Sequence, residues 1–235
     1  MKIQAFGESA LLIEFEQKIS KDIHQQVMTC KEWIRKNIQS GITFLTPAYC
    51  SLCFGFDRQL WQAKELAQYI YSGFDQNVIT EKQVGRVLRI PVCYELAPDR
   101  EALEDQLGLD WTTFVEKHTT STYQVYMLGF LPGFPYMGIL DAALQCKRKT
   151  NPRKQVPAQS VAIAGLQTGI YPMDAPGGWQ LVGQTPMPIL DIYTEQQFLF
   201  QVGDQVKFYS IDPEEFNLLK DAFRKGHWNW EECYE

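Results

Sequence analysis

The sequence predicts an α+β protein in two parts, a small N-terminal α+β sandwich over residues 1–84 and a strand-rich domain with a C-terminal helix and tail over 85–235. Three observations lead there. The first half runs strand, strand, helix, strand, strand, helix, an order suited to one sheet with helices packed on one face. The stretch around Gln76 to Gly85 is polar and lacks strong periodicity, which marks a boundary. Beyond it, many short strand-like runs separated by Gly and Pro suggest a barrel or sandwich.

Lys2–Phe6 and Ala10–Phe15 read as strands joined by Gly7-Glu8. Ile19, Ile23, Val27, Cys30, Ile34 and Ile38 recur at steps of three and four, the period of one apolar helical face, with Gly41 placed as a C-terminal cap. Ile42–Leu45 and Tyr49–Phe56 read as strands divided by Thr46-Pro47, and a second helix over Arg58–Ser72 turns Leu60, Ala63, Ala67 and Ile70 inward.

The second domain opens with a strand, Arg86–Tyr94, and two short helices whose N-caps are Asp99 and Asp110. Strand-like runs follow at Tyr123–Leu128, Ser160–Ala164, Gly169–Tyr171, Trp179–Gly183, Gln197–Val202 and Gln205–Ser210, with Gly203-Asp204 as a tight hairpin turn between the last two. Asp212, Pro213 and Glu215 supply the cap, first-turn proline and third residue of a final helix. The stretch from His227 to Glu232 is an acidic aromatic tail that packs on its own domain or meets a partner.

Hydrophobic residues at 45% and charged residues at 21% are ordinary globular values. A net charge of -6 argues against a nucleic-acid binder, which needs a basic face to neutralise phosphates. No apolar run is long enough to span a bilayer and the start lacks a signal-peptide core, so a cytoplasmic location is expected. The six cysteines are scattered and read as thiols. Cys50 and Cys53 form a lone CxxC whose spacing sends the two side chains to opposite faces of a strand, so no metal is expected.

The working surface is expected between Tyr126 and Pro186. Proline fixes φ and glycine permits close backbone approach, so this Pro- and Gly-rich segment is irregular but rigid, as a preorganised site or as a set of barrel corners. Lys147, Arg148, Lys149, Arg153 and Lys154 concentrate positive charge in an otherwise acidic chain, either a local anion site or a solvated loop. No Gly precedes a Lys and no G-x-G occurs, which excludes a Walker A loop and a Rossmann fingerprint. Ser160 lacks a nucleophile elbow, and His24, His118 and His227 form no recognisable zinc motif.

Gly129-Phe130-x-Pro132-Gly133-Phe134-x-Tyr136, Pro152-Arg153-x-x-Val156-Pro157-Ala158-x-Ser160, Gln167-Thr168-Gly169-Ile170-Tyr171-Pro172 and Pro176-Gly177-Gly178-Trp179 through Thr185-Pro186 closely resemble the family of the B component of 5-oxoprolinase. That family is also called allophanate hydrolase subunit 1, the carboxyltransferase domain subdomain C/D, and includes an inhibitor of a sporulation histidine kinase. The resemblance extends through Gly7–Leu12, Pro47–Leu52, Ile90–Tyr94 and His118-Thr119, nearly the whole chain. It implies that the second domain is a cyclophilin-like β-barrel.

The resemblance also implies a non-autonomous subunit, inactive alone. With a carboxyltransferase-like second subunit and a lactam-binding third, it would open 5-oxoproline to L-glutamate with ATP as co-substrate and no tightly bound cofactor. Such chemistry needs cationic donors for phosphate and carboxylate. Arg148 and Arg153 are the expected contacts, helped by Lys149 and Lys154, with Tyr136, Gly177 and Gly178 beside them. Phe130 and Phe134 are candidates for a partner contact, and ordinary core packing is their alternative. His118 is either an acid or base or a hydrogen-bonded structural histidine. The alternative functions are a histidine-kinase inhibitor docking on the kinase dimerisation domain and an allophanate or urea-pathway component. Two positions depart from the family pattern: Lys147 stands where proline is usual, and Gln159 where glycine is, in a backbone that resists a side chain if φ is positive.

Overall fold

The structure is a computed structural model that describes residues 1–75, 85–193, 197–226 and 230–234. The chain divides into two compact units, Met1–Gln83 and Val84–Glu235. Most of the polar stretch read as a boundary, residues 76–84, lies outside the described residues.

In the first unit, β1 (Lys2–Ala5), β2 (Ala10–Glu14), β3 (Ile42–Pro47) and β4 (Ser51–Phe56) form an antiparallel sheet in the order β1-β2-β4-β3. Gly7, at φ 72, turns the chain between β1 and β2. Helix α1 (Lys21–Asn37) starts at Ser20, whose hydroxyl accepts from the Asp22 amide, and buries Ile23, Val27, Cys30 and Ile34 on the face that the period predicts. Helix α2 (Ala63–Gly73) buries Leu66 and Ile70. These faces meet Leu11, Ile13, Leu52, Phe54 and Phe56 of the strands in one core.

Three expectations for this unit are corrected. Gly41 does not cap α1: the helix closes at Ile38, whose amide donates to the Ile34 carbonyl, and Gly41 (φ 82) leads into β3. The break between the second pair of strands falls after Pro47, because Ala48 N donates to Ser51 O across the turn. Helix α2 begins five residues later than the apolar spacing suggests, since Leu60 and Trp61 donate to Asp57 in a turn of their own. Leu60 is consequently exposed, and Leu66 takes the buried place.

The second unit contains β5 (Val87–Val92), α3 (Arg100–Leu107), α4 (Trp111–Thr120), β6 (Thr122–Leu128), β7 (Pro135–Gly138), β8 (Arg153–Val156), β9 (Ser160–Ala164), β10 (Gln167–Ile170), β11 (Ala175–Gly177), β12 (Gln180–Gln184), β13 (Gln205–Ser210) and α5 (Pro213–Arg224). Seven strands form a curled sheet in the order β12-β9-β10-β7-β6-β13-β5, antiparallel except for β13 beside β5. Its two edges meet at one end. Cys93, just after β5, and Gln184, the last residue of β12, exchange two backbone hydrogen bonds at 2.9 and 3.1 Å. Strands β8 and β11 form a separate two-stranded ribbon.

The core of the unit runs from Leu88, Ile90 and Val92 through Val125, Val161, Ile163 and Val182 to Phe200 and Phe208. Helix α5 begins as its sequence predicts, with Pro213 in the first turn and the Asp212 carboxylate accepting from the Glu215 amide at 2.8 Å. The expected strand Gln197–Val202 does not form. Phe198 makes one isolated bridge to Leu190, and Gly203-Asp204 ends a turn closed by Asp204 N on Gln201 O rather than a hairpin. Of the aromatic tail, 227–229 lies outside the described residues, whereas Trp230 donates from Nε1 to the Pro188 carbonyl at 2.9 Å. No described helix is long and apolar enough to cross a membrane.

Candidate functional site

In the second unit, the loop after β6, strand β7, the loop before β8 and the turn after β11 converge on an open cleft of about 90 Å³. Phe130, Phe134, Tyr136, Arg148, Tyr171, Gly177, Gly178 and Trp179 line it. Elements distant in sequence reach it for identifiable reasons. The 129–134 loop is closed by Phe134 N on Leu131 O and Gly129 N on Phe134 O, with Gly133 at φ 76 allowing the reversal. That turn tucks Phe134 inward, where it is 2% exposed, and leaves Phe130 outward, 71% exposed and at φ 67.

Phe134 is the hub of the aromatic floor. Its ring lies 4.9 Å from Tyr136, 5.1 Å from Tyr171 and 5.5 Å from Trp179, the last two edge to face, the arrangement that ring quadrupoles favour. Two absent side chains permit this packing. A Cβ at Gly169 would stand 2.9 Å from Phe134, and one at Gly177 would stand 2.1 Å from the Tyr171 hydroxyl oxygen. Burial raises the pKa of Tyr136 and of Tyr171, and Arg148 lowers each in part.

Arg148 is exposed, and its guanidinium sits over the Trp179 ring at 5.8 Å. The chain fastens it on both sides. Gln180 Nε2 donates to the Lys147 carbonyl at 3.2 Å, and the Lys149 amide donates to the Gly178 carbonyl at 2.7 Å. Arg148 itself makes no hydrogen bond or ion pair among the described residues.

The other basic residues separate into two kinds. Lys149 Nζ and Arg153 Nη2 both donate to Asp99 Oδ1, at 2.7 and 2.5 Å, while Asp99 Oδ2 accepts from the Leu181 amide at 2.8 Å. Asp99 is 4% exposed. Burial by itself would raise its carboxyl, but hydrogen bonds from Arg153, Lys149 and Leu181 outweigh that and hold it below the ordinary carboxylate value. Lys154 is exposed and outside the cleft lining.

Among residues expected to bind substrate or phosphate, the structure therefore brings Arg148, Tyr136, Gly177 and Gly178 to one cleft and turns Lys149 and Arg153 onto an internal carboxylate. Phe134, for which a partner contact and ordinary core packing were both open, lies buried in the floor because the 129–134 turn points it inward. His118 is placed elsewhere and fully buried. Tyr94 Oη lies 2.6 Å from its Nδ1 and Thr168 Oγ1 3.1 Å from its Nε2, while Phe208 and Phe114 stack on the ring. Burial pushes its pKa down to about 3, so the contacts support a structural role rather than an acid or base.

Asp99 was accessible to sequence reasoning only as a helix cap, and it makes no side-chain cap hydrogen bond at all. Its partners lie 50 to 82 residues away. Tyr171 and Trp179 carried a usable signal, each standing within a Pro- and Gly-rich motif beside residues that do line the cleft.

Residues 1–200 match the family described as carboxyltransferase domain, subdomain C and D. The chain is 35% identical over 234 residues to the B component of 5-oxoprolinase from Bacillus subtilis (strain 168), covering 94% of this chain and 97% of that protein. It is 44% identical over 126 residues to the corresponding 5-oxoprolinase component of Escherichia coli O157:H7, covering 53% and 58% of the two chains. Among solved structures, that of TTHA0988 superposes with a TM-score of 0.76 at 31% identity over 86% of this chain, which spans 40% of the other. A conserved uncharacterized protein, PH0987, from Pyrococcus horikoshii superposes with a TM-score of 0.55 at 36% identity, covering 92% and 100%.

Proposed function

The chain belongs to the family of the 5-oxoprolinase B component, within the carboxyltransferase subdomain C and D group, and from that premise we propose that it is a subunit of an ATP-dependent 5-oxoprolinase complex. The observation that carries this reading is the similarity to the Bacillus subtilis protein along almost the full length of both chains. In that complex the two units Met1–Gln83 and Val84–Glu235 act as the α+β domain and the cyclophilin-like barrel domain. The second unit meets a carboxyltransferase-like subunit and a lactam-binding subunit.

The chemistry suits a shared site. A lactam carbonyl is a poor electrophile, so the terminal phosphoryl group of ATP is transferred to its oxygen, releasing ADP. Water then adds to the carbon and the ring C–N bond breaks, leaving an acyl phosphate. A second water hydrolyses that to L-glutamate and phosphate. Each stage carries negative charge that a fixed cation stabilises. Within this chain we assign to Arg148, held over Trp179 at the mouth of the cleft, the contact with the carboxylate of 5-oxoproline. His118, fully buried with partners on both ring nitrogens, takes no part in the proton transfers.

The test is reconstitution. The purified chain combined with its two partner subunits should release glutamate from 5-oxoproline only when ATP is present, and the chain alone should release none. The absence of release from the full mixture, under conditions in which the Bacillus subtilis protein supports it, would overturn the assignment. A urea amidolyase of Saccharomyces cerevisiae is 24% identical over 94% of this chain, which makes urea and allophanate the control substrates for the same mixture.

A further inference from the structure

Arg148 is the one charged residue among the eight that line the cleft, although four more basic residues lie within six positions of it in sequence. Of these, Lys149 and Arg153 approach the cleft wall through their backbones. The Lys149 amide is bonded to Gly178 and Arg153 is paired in register with Gly177. Their charged ends are nonetheless turned away onto Asp99, whose second oxygen is fixed by the Leu181 amide. A carboxylate 4% exposed, bonded to three donors on two other segments, is held in place between the two cations.

We propose that Asp99 sets the charge of this cleft: by holding Lys149 and Arg153 it leaves Arg148 as the single free guanidinium of the lining, and so selects a small ligand with one carboxylate beside a flat apolar body over one bearing a dianionic phosphate. The aromatic floor of Phe134, Tyr136, Tyr171 and Trp179 takes the flat body, and Arg148 over Trp179 takes the carboxylate. One guanidinium matches one carboxylate in two parallel hydrogen bonds, whereas a phosphate dianion entering the same place keeps an uncompensated charge next to apolar rings. Asp99 is thus a specificity-determining residue that acts through its neighbours. The inference rests on the cleft being the working site, yet concerns ligand binding by the chain alone, so it can fail or hold independently of the reconstituted reaction.

The experiment is calorimetric titration of the full chain with benzoate, benzamide and phenyl phosphate, three rings of similar size that differ in charge. Benzoate should bind at least about tenfold more tightly than benzamide and more tightly than phenyl phosphate. Arg148→Gln should abolish the preference for benzoate, whereas Lys149→Gln should keep benzoate affinity within about threefold, since Lys149 offers the ligand no free charge. Asp99→Asn, with the fold checked by circular dichroism, should shift the phenyl phosphate to benzoate ratio upward by about fivefold or more, the scale of one charge released at close range. Equal binding of benzoate and benzamide, no binding of any of the three, or equal losses in Arg148→Gln and Lys149→Gln would overturn the proposal. A folded Asp99→Asn chain with an unchanged ratio would do the same. Should that variant not fold, the contrast between Arg148→Gln and Lys149→Gln decides the question alone.

Discussion

Asp99 Oδ1 lies 2.5 Å from Arg153 Nη2, joining the residue before α3 to the first residue of β8 across 54 positions of sequence. With Lys149 and the Leu181 amide on the same carboxylate, three segments are tied at one buried point. Removing a charge from such a point costs more than the pair itself contributes, because the partners stay behind unpaired.

Asp99→Asn should therefore destabilise the protein at neutral pH by about 2 to 3 kcal/mol, as read by urea unfolding. The pH dependence has a definite sign. The folded carboxyl titrates below its ordinary value of 3.8, so its contribution is complete above that value and is lost as the pH falls through the lower, folded one. The deficit of the variant should be constant from about pH 7 to 5 and shrink below about 4, where the wild-type carboxylate also becomes neutral.

His118 produces a slope at higher pH. Its folded pKa is pushed down to about 3 from an ordinary 6.5, so below 6.5 the unfolded chain takes up a proton that the folded chain refuses. Stability must then fall on acidification, by up to about 1.4 kcal/mol per pH unit. His118→Gln should flatten the change in unfolding free energy between about pH 7 and 5.5, a range that few carboxylates enter. An equally steep slope in the variant would place its origin elsewhere.

Much of this was readable in the chain. The period of Ile23, Val27, Cys30 and Ile34 reports α1 because one helical face has one chemical environment, and the Asp212-Pro213 start of α5 reports itself because capping is local. Strands β7, β8 and β11 were not readable. They are three or four residues long, two contain proline, and β8 and β11 are held by each other across about twenty positions of sequence. Gln197–Val202 has the right composition for a strand, but among the described residues its β pairing is the isolated Leu190–Phe198 bridge. The basic loop was visible as a charge cluster, but its division into one free arginine and two cations tied to a shared carboxylate depends on Asp99, which no local pattern connects to it.

Gln159 is a case in which a residue with a Cβ at positive φ has a measurable physical consequence. It sits at φ 62, between Pro157-Ala158 and β9, with its amide bonded to Tyr171 O and its carbonyl to Thr185 N. Those two bonds hold the left-handed conformation, which costs a residue with a Cβ about 1 to 2 kcal/mol and costs glycine almost nothing. Gln159→Gly should raise stability by about 0.5 to 1 kcal/mol after the greater flexibility of unfolded glycine is subtracted. Gln159→Ala, which keeps the Cβ, should not. Thermal unfolding of the three chains separates the backbone effect from loss of the side chain.

Gly177 tests the packing of the cleft most directly. Its backbone is not in the left-handed region, so an added methyl group meets only a spatial obstacle, the Tyr171 hydroxyl oxygen at 2.1 Å and the ring carbon behind it at 2.8 Å. Tyr171 is buried against Phe134 and cannot retreat without disturbing the floor. Gly177→Ala should cost about 1 to 3 kcal/mol, the usual range for overpacking. Tyr171→Phe alone removes a polar contact beside the Trp179 backbone and should cost about 1 kcal/mol. In the Gly177→Ala background the same change removes the nearest clashing atom and should restore stability instead. The double-mutant cycle should therefore give a coupling free energy of at least about 1 kcal/mol in favour of the double variant. Simple additivity of the two losses would show that the cleft wall yields at Gly177, and that Tyr171 is not the surface against which it is built.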